Sequence, residues 1–584
     1  MFAHRSGIAP VYPRSNTGDR SKEQPAALAT PTPSEVLMSL VDDKDTVTLA
    51  PASKLRRSVG PVALLWASVG SIIGSGWLYG AKNAVVAAGP ASVIAWGIGT
   101  VAIALLALVH AELGGMFPVS GGVARYPHYT FGGLAGISFG WFTWLASATT
   151  APIEVEAVIG YAGHWKWAQS LLHSDETLTA SGLVVAVILM AVFVAVNFLG
   201  IRLLAHTNST ATWWKVAVPL LTIFVLAATH FDFGNFTSHG FAPFGAKGVL
   251  EAISTSGIVF ALLGFEQAIQ LAGESRNPHR DIPRATIGSV VIGAAIYLLL
   301  QVAFIGALPG SSFAGGWANL DFPGISGPLA GLATLLGLGW LAWVLYFDAI
   351  VSPGGTGLIY TTATSRISYG LSRNGYVPKL FERTDRNGVP WFGLLITFLT
   401  GVICFLPFPS WQQLVSFITS ASVLMYAGTP LAYGVLRDRL PDRVRPYRLP
   451  AGRILAPASF VVANLIIYWS GWDTLWRLGL AILLGYLLLG SYVAYTFLTR
   501  RPNASRLDWK AAQWLPGYLL GLGAISWQGG FGAGAQGHLP LGWDIVAVTA
   551  LSLVIYHWAR RTGLPAADIE RNIQDVPVTD EGAH

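Results

Sequence analysis

The chain has 584 residues, of which 53% are hydrophobic, 12% aromatic and only 11% charged, with a net charge of +6 and a single cysteine, Cys404. Soluble domains carry about 25% charged residues, so this composition excludes a soluble enzyme, a nucleic-acid binder and a disordered protein. The 66 Gly and 33 Pro are scattered through apolar stretches without a fibrous repeat, as membrane helices tolerate.

Residues 1–57 are rich in Pro, Ser, Thr and charge, and they lack the apolar core of a secretory signal. They are predicted to be a disordered cytosolic tail. From Val59 onward apolar runs recur, each close to the roughly 20 residues that cross about 30 Å of hydrocarbon. Fourteen spans are predicted, at 60–86, 91–115, 134–161, 179–200, 209–230, 248–272, 285–308, 331–364, 391–407, 411–436, 454–472, 474–498, 514–532 and 542–559. With both termini in the cytosol, 31 of the 36 Lys and Arg fall on cytosolic segments. This is the positive-inside asymmetry, which makes the net charge a topology signal rather than a sign of an anionic partner.

The first span contains SVGSIIGSGWLYG at 68–80. Four glycines in one helix disfavour continuity. An interruption there must be buried in protein or line a cavity, and the N–H groups opening its second half suit a carboxylate. The same small residues also suit close helix packing. The sixth span carries GIVFALLGFE at 257–266, with Gly264 and Glu266 inside an apolar helix, followed by the polar turn GESRNPHRDIPRA at 273–285. Paired interruptions five spans apart are the sequence pointer to a midplane substrate site, although Glu266 also reads as a purely structural buried carboxylate.

GSIIGSGWL at 70–78, FPVSGGVARYPHYTFG at 117–132, TWWKVAVPL at 212–220, FALLGFEQA at 260–268, GESRNPHRDIPRA, and TSRISYGLSRNGYVPKLF at 364–381 together resemble the amino acid–polyamine–organocation permeases. RYPHY, APIEVEAV, FAPFG, LGLGWLA, DAIVSPGGTG, LPFPSW, IYWSGW and YHWARRTGLP are similar to the aspartate–proton symporter branch of that family. The resemblance implies an all-α integral membrane protein: a ten-helix inverted 5+5 repeat at 58–436 with helices 1 and 6 broken, four additional helices at 437–560, and a cytosolic tail at 561–584. It implies that a substrate α-carboxylate rests on backbone amides of Gly74, Ser75 and Gly76. The α-ammonium would meet carbonyls of Ile72, Phe260, Ala261 and Leu263 beside Gly264, with Phe260 as a gate. It also implies that Lys215 is a proton carrier facing helices one and eight, that Thr356 lies near it, and that Glu266 has a proton-linked role.

Lys215, Glu154, Glu156 and Asp348 all stand inside apolar spans, where a charge costs at least ~2.5 kcal/mol and must pair, be neutral or face water. Lys215 also reads as able to snorkel to the interface, and the three acids as pairing with polar groups inside the bundle. Pro353, Gly354 and Gly355 are expected to distort the eighth span. His110, His128 and His206 read as interfacial, and Asn235-Phe-Thr fits a glycosylation sequon. No catalytic constellation, metal-ligand spacing or cofactor fingerprint occurs. The expected function is secondary active uptake of aspartate or glutamate with protons, at the cell membrane. An exchanger or permease for a neutral or other amino acid, or a non-transporting amino-acid sensor, are the alternatives.

Overall fold

The computed structural model describes residues 59–119, 121–198, 201–322, 327–385, 388–408, 410–499 and 507–574, with the side chains of 201–210, His206 included, outside the described set. The predicted tail at 1–57 and the last residues, 575–584, also lie outside it. In chain order the longer helices are α1 (Pro61–Ile72), α2 (Gly76–Ala88), α3 (Ser92–Met116), α4 (Gly122–Phe131), α5 (Gly133–Ala162), α6 (Ala180–Phe198) and α7 (Ile201–Thr229). There follow α8 (Gly245–Thr255), the short α9 (Ile258–Leu262) and α10 (Gln267–Gln270), α11 (Pro278–Ala307), α12 (Pro328–Leu335), α13 (Gly339–Arg373), α14 (Trp391–Cys404) and α15 (Trp411–Arg439). The carboxyl-terminal part adds α16 (Gly452–Trp469), α17 (Trp472–Leu498), α18 (Trp514–Gln528), α19 (Trp543–Thr562) and α20 (Ala566–Asn572). Among the described residues there is no β-strand beyond isolated bridges.

Among the described residues, seven helical stretches are long and apolar enough to cross a membrane. Their outward faces carry Val184, Ile188 and Val192 on α6, Phe224 on α7, and Leu480, Leu483 and Leu487 on α17, all exposed. Apolar surface of this extent is what lipid covers and water does not. The chain is therefore a multi-pass membrane protein.

Packing joins helices that are far apart in sequence. α11 lies along α3 and α1, α13 along α5, and α7 touches α1, α11 and α13. α15 packs on α5 and α16, and α16 in turn covers α3. Ser254 Oγ on α8 donates to the Ile466 carbonyl of α16 at 2.7 Å, tying the carboxyl-terminal helices to α8. On α3, Glu112 holds Arg437 at 2.7 Å and accepts from the Leu449 amide at 2.7 Å, which fixes the loop after α15.

Three expectations are corrected. α13 runs unbroken through Ser352, Pro353, Gly354 and Gly355. A Cβ at Gly355 would stand 3.0 Å from Lys215 Cε, so this glycine lets a side chain cross the helix rather than breaking it. His110 is fully buried instead of interfacial, with Nδ1 at 2.7 Å from the Leu106 carbonyl and Nε2 at 2.8 Å from Thr429 Oγ1. His128 is half-buried and bonds the Tyr376 hydroxyl at 2.6 Å. Asn235 is buried and spends its amide hydrogens on the carbonyls of Ile305, Gly306 and Leu308, so its sequon is a cap for the end of α11 and not a sugar site.

Candidate functional site

α1 ends at Ile72 and α2 begins at Gly76, leaving Ile73, Gly74 and Ser75 between the two helices, with Ile73 clearly off helical geometry at φ -89° and ψ 82°. In the segment predicted as the sixth span, α8, α9 and α10 are separated by Gly257 (φ 88°) and Gly264 (φ 118°), backbone conformations that favour glycine. The two non-helical stretches touch. A Cβ at Gly76 would come 2.8 Å from the Ala261 Cα, and one at Gly264 would come 2.9 Å from the Ile72 nitrogen. Both readings of the glycines therefore apply, because the chain is interrupted and the interruptions pack closely. Ser68 Oγ stitches the inner ends together, donating to the Phe265 carbonyl at 3.1 Å and accepting from the Ala268 amide at 3.0 Å.

A cavity of about 10 Å³ lies at this junction, lined by Ser71, Ile72, Gly74, Gly76, Phe260 and Leu263 together with Thr150, Glu154, Thr356, Tyr360 and Ser422. That is room for about one water, so a larger solute enters only if the surrounding helices move. Of the site residues read from the sequence, Ile72, Gly74, Gly76, Phe260, Leu263 and Thr356 line the cavity. Ala261 and Gly264 stand directly behind it through the contacts just described, and Ser75 through its amide, which donates to the cavity-lining Glu154. Lys215 reaches its edge, and Glu266 lies one layer further from it.

Lys215 on α7 is fully buried, and Nζ donates to the Gly70 carbonyl at 2.8 Å and to Thr356 Oγ1 at 2.9 Å. The side chain thus runs inward across Gly355 and does not snorkel. Asp348, one residue class expected to pair inside the bundle, accepts from Trp77 Nε1 at 3.1 Å, Trp214 Nε1 at 2.8 Å and Ser352 Oγ at 2.8 Å. Glu266 accepts from the Tyr426 hydroxyl at 2.5 Å, the Tyr360 hydroxyl at 3.0 Å and the Gly264 amide at 3.0 Å. Four neighbouring donors, Gln267 Nε2 at 3.3 Å included, make it a clamp on the sixth-span interruption. Glu154 on α5 accepts from the Ser75 amide at 2.8 Å through Oε2, whereas Glu156 is buried without a hydrogen-bond partner.

Several contributors escaped the sequence reading. Tyr297 on α11 donates to the Ile72 carbonyl at 2.8 Å. Trp411, the first residue of α15, donates to Ser75 Oγ at 2.9 Å, stacks on Tyr79 at 4.8 Å and meets the Phe260 ring edge-on at 5.8 Å. Next to it, Gln412 accepts from Asn83 at 2.7 Å and donates to the Thr255 carbonyl at 2.5 Å, so α15 holds α2 and α8 together. The only sequence signal for this roof was the LPFPSW motif at 406–411, which marks no chemistry by itself.

Two helical interruptions in contact around a small polar cavity, inside a multi-pass membrane protein, define the class as a transporter of small solutes. The chain belongs to the amino acid permease family, whose match covers residues 59–488. It is 38% identical over 517 residues to the glutamate/serine transporter AimA of Bacillus subtilis, covering 88% of this chain and 95% of that protein. It is 37% identical over 517 residues to the aspartate-proton symporter of the same organism, covering 88% of this chain and 98% of that one. The branched-chain amino acid permease BcaP of Bacillus subtilis is 26% identical over 457 residues, covering 75% of this chain and 93% of that protein.

Proposed function

We propose that the protein is a proton-coupled importer of an acidic amino acid, aspartate or glutamate, working by alternating access in the cell membrane with both termini in the cytosol. The observation that carries the reading is Lys215, a buried ammonium joining the Gly70 carbonyl before the first interruption to Thr356 on α13. An ammonium there holds two helices together when charged and releases them when it gives up its proton, which links a proton to helix movement. The likeness to the aspartate-proton symporter supports the choice of ion and substrate.

The architecture in this reading is fourteen spans, with the first ten as two inverted repeats of five. The pairing of the interrupted first and sixth spans, of α3 with α11 and of α5 with α13 supports it, since each joins helices five spans apart. α1–α2 and α8–α10 are then single discontinuous spans. The substrate α-carboxylate would use the amides of Gly74, Ser75 and Gly76, and its ammonium the carbonyls of Ile72, Phe260, Ala261 and Leu263. Co-transport of protons offsets the negative charge of the substrate. Such a protein acts as a carrier and performs no covalent chemistry.

Ser71, Thr150 and Ser422 in the cavity wall favour a second reading, uptake of a small neutral amino acid such as serine. Hydroxyls recognise a polar side chain without the cation a free carboxylate asks for, and AimA carries serine in its name. The test is purified protein in liposomes, given labelled aspartate, glutamate or serine with an acidic exterior. Accumulation of aspartate or glutamate that collapses with the pH gradient supports the first reading. Accumulation of serine alone supports the second, and none at all under any gradient would overturn both.

A further inference from the structure

The Ser75 amide, just before α2, already holds a carboxylate, and it belongs to the protein. Glu154 Oε2 accepts from the Ser75 N–H at 2.8 Å. The residue is 1% exposed, and its other oxygen, Oε1, has no hydrogen-bond partner. Oε1 faces the interruption: a Cβ at Gly74 would come 2.6 Å from it and 3.0 Å from Thr356 Oγ1. Glu154 also lines the cavity, whose volume of about 10 Å³ admits no second carboxyl group while Glu154 stays in place.

The geometry points to Glu154 as a tethered carboxylate that holds the substrate-carboxylate subsite in the empty transporter and yields it, protonated, when an amino acid binds. This deepens the transport reading above and rests on it. Two ionised carboxylates sharing one set of amides repel strongly, so one of them must be neutralised or leave. Hydronium on the open side gives a proton to Oε1 and leaves as water, an O–H bond forms, and the carboxylate charge is cancelled. Oε2 then releases the Ser75 N–H to the incoming α-carboxylate, and the new hydroxyl becomes a donor facing it. Because the α-carboxylate is common to all amino acids, the device works whichever side chain is carried.

Ionisable neighbours surround this group. Lys215 on α7, Tyr297 on α11 and Tyr360 on α13 are the titratable side chains facing Glu154, with Asp348 of α13 beyond Lys215. Tyr426 of α15 is committed to Glu266, and Cys404 of α14 lies toward Glu156 instead. Glu154 is a positioning residue for the first interruption and also a proton carrier, two roles that a pH profile separates.

The test compares the parent with Glu154→Gln in lipid nanodiscs. Aspartate, glutamate and serine are titrated calorimetrically in buffers of different ionisation enthalpy, which counts protons taken up per substrate bound. The parent is expected to take up close to one more proton than the variant, and its Kd to weaken up to tenfold per pH unit toward alkaline pH, a slope that flattens in the variant. Equal proton counts and parallel slopes in two binding-competent proteins would overturn the proposal while leaving transport intact. A parent that binds none of the three amino acids would instead overturn the transport reading on which the proposal stands. Where Glu154→Gln does not bind, infrared difference spectra of the parent and of Glu154→Asp decide. A protonated-carboxyl band that appears with substrate and shifts in Glu154→Asp supports the proposal, and its absence from the parent refutes it.

Discussion

Gly264→Ala isolates the contact between the two interruptions. The backbone there has φ 118°, outside the region ordinary residues adopt, and a Cβ would meet Ser71 Cβ at 2.8 Å and the Ile72 nitrogen at 2.9 Å. The backbone conformation costs about 1–3 kcal/mol for a residue with a side chain. The overlap adds about 1–3 kcal/mol, because one of the atoms struck is main chain and cannot rotate away. The expected destabilisation is therefore about 2–6 kcal/mol. Gly97→Ala is the control: its Cβ would meet nothing within 4 Å inside α3, and the gain in helix propensity is about 1 kcal/mol. The buried, single Cys404 supplies the assay, since a thiol-reactive fluorophore reaches it only on unfolding. Denaturant titrations of both variants in detergent convert midpoint shifts to free energies. A Gly264→Ala protein within about 1 kcal/mol of the parent would refute the claim that the interruptions are locked by close approach.

Neighbouring glycines on α13 should behave oppositely. Gly355→Ala pushes Lys215 from Thr356 and is expected to slow proton-driven uptake about tenfold, the loss of one charge-assisted hydrogen bond, while Gly354→Ala, with open space around it, leaves uptake unchanged. Trp411→Phe keeps the stack on Tyr79 but loses the bond to Ser75. Bound substrate should dissociate about fivefold faster, the effect of about 1 kcal/mol, as followed by release of labelled substrate. Asn235→Ala strands the Leu308 carbonyl, while those of Ile305 and Gly306 keep the amides of Leu308 and Asp232, and should lower stability by about 1–3 kcal/mol in the Cys404 assay. The parent's electrophoretic mobility should not respond to an enzyme that removes N-linked sugars.

The composition and the spacing of apolar runs were enough to place the chain in a membrane, because lipid imposes length and polarity on every span. Glycine clusters at 70–80 and at 257–264 marked both interruptions: Gly257 and Gly264 take backbone conformations that side chains disfavour, and Gly74 and Gly76 lie where a Cβ would collide with a neighbour. The partners of the buried charges were not legible in the same way. Lys215 meets Gly70 across 145 positions, Trp77 meets Asp348 across 271, and Trp411 meets Ser75 across 336. No local pattern encodes contacts at such separations; they exist only once helices pack. The same limit explains why Gly355 reads as part of a helix distortion and serves as a passage for Lys215. It also explains Glu154, which sequence reasoning could identify only as a carboxylate costly to bury. Its place on the Ser75 amide was decided by the packing of α5 against the first interruption.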